Sequence, residues 1–181
     1  MVERFHLQTL IKRLKEPRKF IQVIMGPRQV GKTTLLRQLS GDERTYVTLD
    51  DPMVLGLAKE DPALFMQRFP APLFIDEIQY APELLTYIKM EVDHNRKPDL
   101  FWLTGSQQFH LMKGVSESLA GRVGIVQLLG LSHRERIGKG LDSTPFLPTP
   151  DNLAGRMASG ESLSLRALYQ LIWRGSFPAI A

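Results

Sequence analysis

Apolar and polar positions alternate along this chain with two distinct periods. Leu7, Leu10, Ile11 and Leu14 recur at i, i+3, i+4 and i+7, which predicts an amphipathic helix closing near Pro17. Residues 20–25 then form a short apolar run rich in β-branched side chains, the pattern of a buried strand. A glycine-bearing turn follows, and a helix opens at Lys32. Residues 46–49 read as a second strand, closed by Asp50, Asp51 and Pro52. Residues 54–69 are mostly helical in pattern, interrupted where Asp61 suits an N-cap and Pro62 a first helical position.

The alternation continues. Residues 73–75 are apolar without polar alternation, which predicts a strand covered on both faces. Leu84, Ile88 and Val92 recur every four residues, a helix starting near Pro82. Residues 100–104 form a fourth buried strand, residues 107–113 a short helix, and residues 125–129 a fifth strand. Short strands separated by helices imply an α/β fold built from βαβ units around a parallel sheet. Right-handed crossovers then place helices on both faces, a three-layer sandwich whose ligands bind at the carboxyl ends of the strands. Beyond Gly140 the periodicity fades. Residues 141–152 carry three prolines and read as a linker or exposed loop, and Leu165, Leu168 and Ile172 predict one more helix ending near Gly175. The resulting division is an N-terminal helix over 1–19, a nucleotide-binding domain over 20–140, and a linker with a further region over 141–181.

Composition narrows the chemistry. With 43% hydrophobic and 23% charged residues the chain is an ordinary globular mixture. It has no cysteine, which excludes disulfides, thiolate metal sites and cysteine nucleophiles. His6, His94, His110 and His133 lie far apart and lack metal-ligand spacing. The net charge is +4, and the densest basic patch is Lys12, Arg13, Lys15, Arg18 and Lys19. A solvated helix face is the simpler reading of that patch, and a nucleic-acid contact has weak support because no aromatics interleave it. No run nears the ~20 apolar residues that span a bilayer, and the start lacks a signal-peptide apolar region. The expected setting is therefore cytoplasmic, without a membrane.

The sharpest motif follows the first strand. Gly26, Pro27, Arg28, Gln29, Val30, Gly31, Lys32 and Thr33 match G-x-x-x-x-G-K-[ST]. Such a loop turns its backbone N–H groups toward a polyphosphate, and the helix it opens adds its N-terminal amides and dipole. Lys32 then supplies full charge at the β- and γ-phosphates, the Thr33 hydroxyl ligates Mg2+, and Thr34 donates to the α-phosphate. Residues 73–75 end in Asp76 and Glu77. Strand alternation turns adjacent carboxylates apart, so Asp76 can face the magnesium while Glu77 polarises the attacking water. That pairing favours hydrolysis over transfer to an acceptor. The fourth strand ends in Thr104, Gly105, Ser106 and Gln107, and Ser106 and Thr104 are the candidates for contacting the γ-phosphate or the water, with Gln107 third. The guanine-selecting N/T-K-x-D motif is absent, which favours ATP.

Together these motifs resemble a group of AAA-superfamily ATPases in bacteria and archaea, in which an N-terminal AAA domain precedes a domain of unknown function. The matching strings are GPRQVGKTTLLRQL, YVTLDDP, PLFIDEIQYAPELLTYIK, LTGSQQFHLMKGVSESLAGRVG and LLGLSHRE, covering most of residues 18–136. The resemblance implies a P-loop fold with a five-stranded sheet of order 5-1-4-3-2, ATP and Mg2+ as ligands, and a candidate homo-oligomer. It also implies that residues 174–180 open a second domain, so a longer natural protein is expected. Arg122, in the string SLAGR, looks like the arginine motif of the family and would reach a γ-phosphate in cis or from a neighbouring subunit. Three functions fit: an ATPase driving or regulating an unknown protein partner, a slow nucleotide-dependent switch, and a nucleic-acid-associated ATPase.

Overall fold

The computed structural model describes residues 19–106, 115, 119–138, 147–160 and 162–178. The helix expected over 1–19, the one over 107–113, and Gln107 lie outside the described residues, apart from Lys19. The described part falls into two compact units, one running to Leu129 and the other starting at Gly130.

The first unit is a five-stranded sheet. Its strands are β1 (Ile21–Met25), β2 (Thr45–Thr48), β3 (Leu73–Asp76), β4 (Phe101–Gly105) and β5 (Val123–Gln127). All pairs are parallel and the order is β2-β3-β4-β1-β5, as expected. The fifth strand begins two residues earlier than the apolar run suggested, because Val123 and Gly124 pair with Ile21 and Gln22. Gly124 fits there for a packing reason: a Cβ would sit 2.6 Å from the Gln22 side-chain oxygen.

Among the described residues, the α-helices between these strands are α1 (Lys32–Ser40), α2 (Pro52–Glu60), α3 (Pro62–Arg68) and α4 (Leu84–Asn95). Ile21, Val23, Leu73, Ile75, Phe101 and Leu103 form one buried face with Ala58 of α2, Phe65 of α3 and Leu84, Ile88 and Val92 of α4. The alternate strand positions make the other face. There register aligns Tyr46 with Phe74 and Phe74 with Trp102, so three aromatic rings run across the sheet with centroid spacings of 5.1 and 6.4 Å. The Arg37 guanidinium of α1 lies 4.8 Å from the Tyr46 ring centre and covers that end of the row.

Two aspartates set the helix boundaries after β2. Asp51 accepts from the backbone N–H groups of Met53 and Val54, and Asp61 from that of Leu64. Each is followed by a proline at the first helical position, where the missing N–H costs nothing. Replacing Asp51 by alanine should cost about 1 kcal/mol and lower the thermal midpoint by a few degrees; calorimetric melting measures it.

The second unit contains α5 (His133–Arg136), α6 (Pro150–Ser159) and α7 (Leu165–Arg174). Ser132 and Glu135 cap α5 reciprocally, and the Leu131 N–H donates to the Ser176 carbonyl at 2.7 Å. The prolines of the expected loop conceal the start of α6: Thr149 accepts from the Asn152 N–H and Pro150 is the first helical residue. The last helix stands where its periodicity predicted and stops at Gly175, φ 68°.

Candidate functional site

The phosphate-type loop leaves β1 at the carboxyl edge of the sheet, with β4 and β5 on either side of that strand. Gly26 is forced by close approach. A Cβ there would sit 2.0 Å from the Leu128 carbonyl oxygen. Gly26→Ala should therefore cost roughly 2 kcal/mol by overpacking against backbone, read as a lower urea midpoint. Gln29 and Gly31 adopt positive φ of 63° and 85° and turn the chain into α1. The Val30 side chain is fully buried and anchors the loop from beneath.

Lys32 is buried, and its ammonium donates to the carbonyls of Gly26 and Pro27, both at 2.9 Å. Burial holds this ammonium below the usual lysine range, while the charges of Glu77 and Asp76 pull it back up. An open hollow of about 470 Å³ lies over the loop, lined by Arg28, Lys32, Thr33 and Thr34 together with Asp50 and Glu77. Its volume falls within the range of small-molecule pockets. Arg28 also donates to the Tyr80 hydroxyl at 2.8 Å.

Asp76 ends β3 and is buried among hydroxyls. The Thr33 hydroxyl donates to its Oδ2 at 2.8 Å, the Tyr46 hydroxyl to the same oxygen at 3.2 Å, and Thr104 to Oδ1. Burial and the neighbouring Asp76 charge push the Tyr46 phenol above its usual range, so it stays a donor at neutral pH. Glu77 diverges from Asp76, but not by strand alternation. The strand has ended, and Glu77 takes a left-handed conformation, φ 58° and ψ 43°. Its N–H donates to the Thr104 hydroxyl at 3.3 Å. Its carboxylate Oε2 accepts from the Ser106 hydroxyl at 3.2 Å and from the Gln79 carboxamide.

The structure thus brings Lys32, Thr33, Asp76, Glu77 and Ser106 together at one end of the sheet. It does not bring Arg122 there. Arg122 precedes β5, and its carbonyl accepts from the N–H groups of Phe20 and Ile21 at the amino edge. A five-residue strand, roughly 15 Å long, separates that edge from the loop. The guanidinium pairs with Asp93 of α4 at 2.6 and 2.9 Å. The in-cis contact considered for Arg122 is therefore not made within this arrangement. Three neighbours of the site went unnoticed in the sequence: Tyr46, Gln79 and Tyr80. Gln79 and Tyr80 directly follow the acidic pair, which was the available signal. Tyr46 became a neighbour only through strand register.

A family model for the AAA domain matches residues 18–137. Two mycobacterial proteins, from Mycobacterium tuberculosis and Mycobacterium bovis, both described only as uncharacterized, are 37% identical over 116 residues. The match covers 64% of this chain, which spans about a quarter (26%) of the length of each relative. Among solved structures, the Thermotoga maritima RuvB Holliday junction branch migration motor is similar at 18% identity and a TM-score of 0.48, over 74% of this chain and 48% of that one. PCH-2 of Caenorhabditis elegans is similar at 15% identity and a TM-score of 0.45, over 73% and 42%. The family match covers about two thirds of the chain, so the protein belongs to the AAA domain family and carries an AAA-superfamily ATPase domain over residues 18–137.

Proposed function

We propose that this domain binds ATP with Mg2+ in the hollow over Gly26–Thr34 and hydrolyses it to ADP and phosphate, to drive or regulate a protein partner. The observation that carries the reading is the convergence of the Thr33 hydroxyl on the buried Asp76 carboxylate, 2.8 Å apart, beside the Lys32 ammonium. A hard hydroxyl and a carboxylate oxygen suit magnesium. Among the described residues no three His, Asp or Glu side chains group to enclose a metal ion, so such an ion would take its remaining ligands from nucleotide and water. Thr33 and Asp76 would hold it, and it would neutralise charge on the phosphate oxygens.

The chain's own groups account for the rest. Backbone amides of the loop and the α1 N-terminus bind the phosphates. Lys32 exchanges the Gly26 and Pro27 carbonyls for phosphate oxygens. Water attacks the γ-phosphorus as the bond to the β-phosphate oxygen breaks, and Glu77 accepts the proton. Ser106, already on Glu77, orients the carboxylate. Titration calorimetry with ATP and magnesium, followed by phosphate release under multiple turnover, tests this; absence of heat on folded protein removes it.

A second reading, a slow nucleotide switch, is favoured by the position of Arg122. If that guanidinium assists, it serves a nucleotide held by another subunit, and a lone chain turns over slowly. A rate below ~10⁻³ s⁻¹, the range of unassisted switch GTPases, would support it. Among the described residues no helix is long and apolar enough to cross a membrane.

A further inference from the structure

Gln79 is neither in the loop nor in the acidic pair, yet its carboxamide makes two polar contacts at the edge of the site. Its carboxamide nitrogen donates to Glu77 Oε2 and also to the Ser106 hydroxyl at 3.3 Å. Ser106 in turn donates to the same Glu77 oxygen at 3.2 Å. Three side chains, from the 3-10 turn Ile78–Tyr80, the end of β3 and the end of β4, close a triangle on one carboxylate oxygen.

The triangle has a cost that stability does not explain. The Gln79 carbonyl oxygen is buried and has no hydrogen-bond partner among the described residues. A buried acceptor without a donor loses its hydration and gains nothing in return. Flipping the carboxamide would not help, since it would set that oxygen against the Glu77 carboxylate. The orientation is therefore dictated by Glu77, which the amide nitrogen serves while the oxygen of the same group is left without a donor.

We propose that Gln79 is a positioning residue for nucleotide hydrolysis, holding the Glu77 carboxylate to Ser106 so that it stays aimed into the phosphate hollow. This rests on the reading of Glu77 as the base. The direction of the effect follows from where Glu77 is held: it lines the hollow beside Lys32 and Thr33, so the triangle keeps it in the site and not away from it. With two donors on Oε2, the proton of the attacking water goes to Oε1.

Gln79→Met keeps length and volume while removing the donor and the orphaned acceptor. The expected result is an unchanged or higher thermal midpoint, an unchanged Kd for a non-hydrolysable ATP analogue with magnesium, and a kcat lowered about tenfold. A second readout needs no turnover: the Gln79 side-chain amide resonance in ¹⁵N-labelled protein, assigned by its loss in Gln79→Met, should move in both Glu77→Ala and Ser106→Ala. Gln79→Ala serves as the second variant if methionine disturbs folding. An unchanged kcat in a wild type that hydrolyses ATP overturns the proposal while leaving the role of Glu77 in place. A raised kcat also overturns it, since Gln79 would then be a brake. A wild type without turnover, or Glu77→Gln with full turnover, removes the underlying reading and the proposal with it.

Discussion

Replacing Lys32 by alanine is expected to weaken binding of ATP with magnesium by about 10²–10⁴-fold and to leave the fold standing. The magnitude follows from two charge-assisted contacts to phosphate oxygens, each about 1.5–3 kcal/mol, at 1.4 kcal/mol per factor of ten. The survival of the fold follows from what Lys32 does without nucleotide. Its ammonium is buried and donates to the Gly26 and Pro27 carbonyls. Burial already disfavours its charge, so truncation loses two hydrogen bonds but also removes a desolvated cation. Calorimetric titration and a thermal melt of the same preparation check both halves. Retained affinity would mean that the loop does not cradle phosphate.

Glu77→Gln should leave that affinity within a factor of about three and reduce kcat by about 10²–10⁴-fold, the range for removing a general base. Glutamine keeps the length and can still accept at its amide oxygen. The Ser106 contact can therefore persist, and so can the left-handed backbone at residue 77. What is lost is the lone pair able to take the proton. Single-turnover phosphate release, run beside equilibrium binding of the analogue, separates chemistry from capture. A variant that still turns over would pass the base role to another acceptor at the site, with Asp50 the next carboxylate lining the hollow.

How much of this was legible in the sequence depended on whether a feature is local. The loop declares itself because its chemistry requires fixed types at fixed spacing. Asp76 and Glu77 followed from their place at the end of an apolar strand. The divergence of their side chains was expected from strand alternation, but it comes from a left-handed turn that the pattern does not encode. Strand order came with the family resemblance alone, since periodicity finds strands without ranking them. The pattern fell short in two places. The apolar run placed the start of the fifth strand at residue 125, but Val123 and Gly124 pair with Ile21 and Gln22 in β5, and Pro150 reads as linker but opens a helix capped by Thr149. Tyr46 was out of reach, because it meets Asp76 only through the register of β2 on β3, whereas Gln79 was signalled by its place two residues after Glu77. The edge on which Arg122 lies was within reach: a residue just before a parallel strand stands opposite the loops that follow its neighbours.

That opposition constrains assembly. Arg122 and the phosphate loop occupy opposite ends of the same parallel strands. Any arrangement in which one copy's guanidinium meets another copy's triphosphate brings the amino edge of one sheet to the carboxyl edge of the next. Two copies can do this reciprocally, side by side and antiparallel about a twofold axis, or a series of copies can do it head to tail, as a ring or a filament. In each case every bond-breaking event would depend on a neighbour.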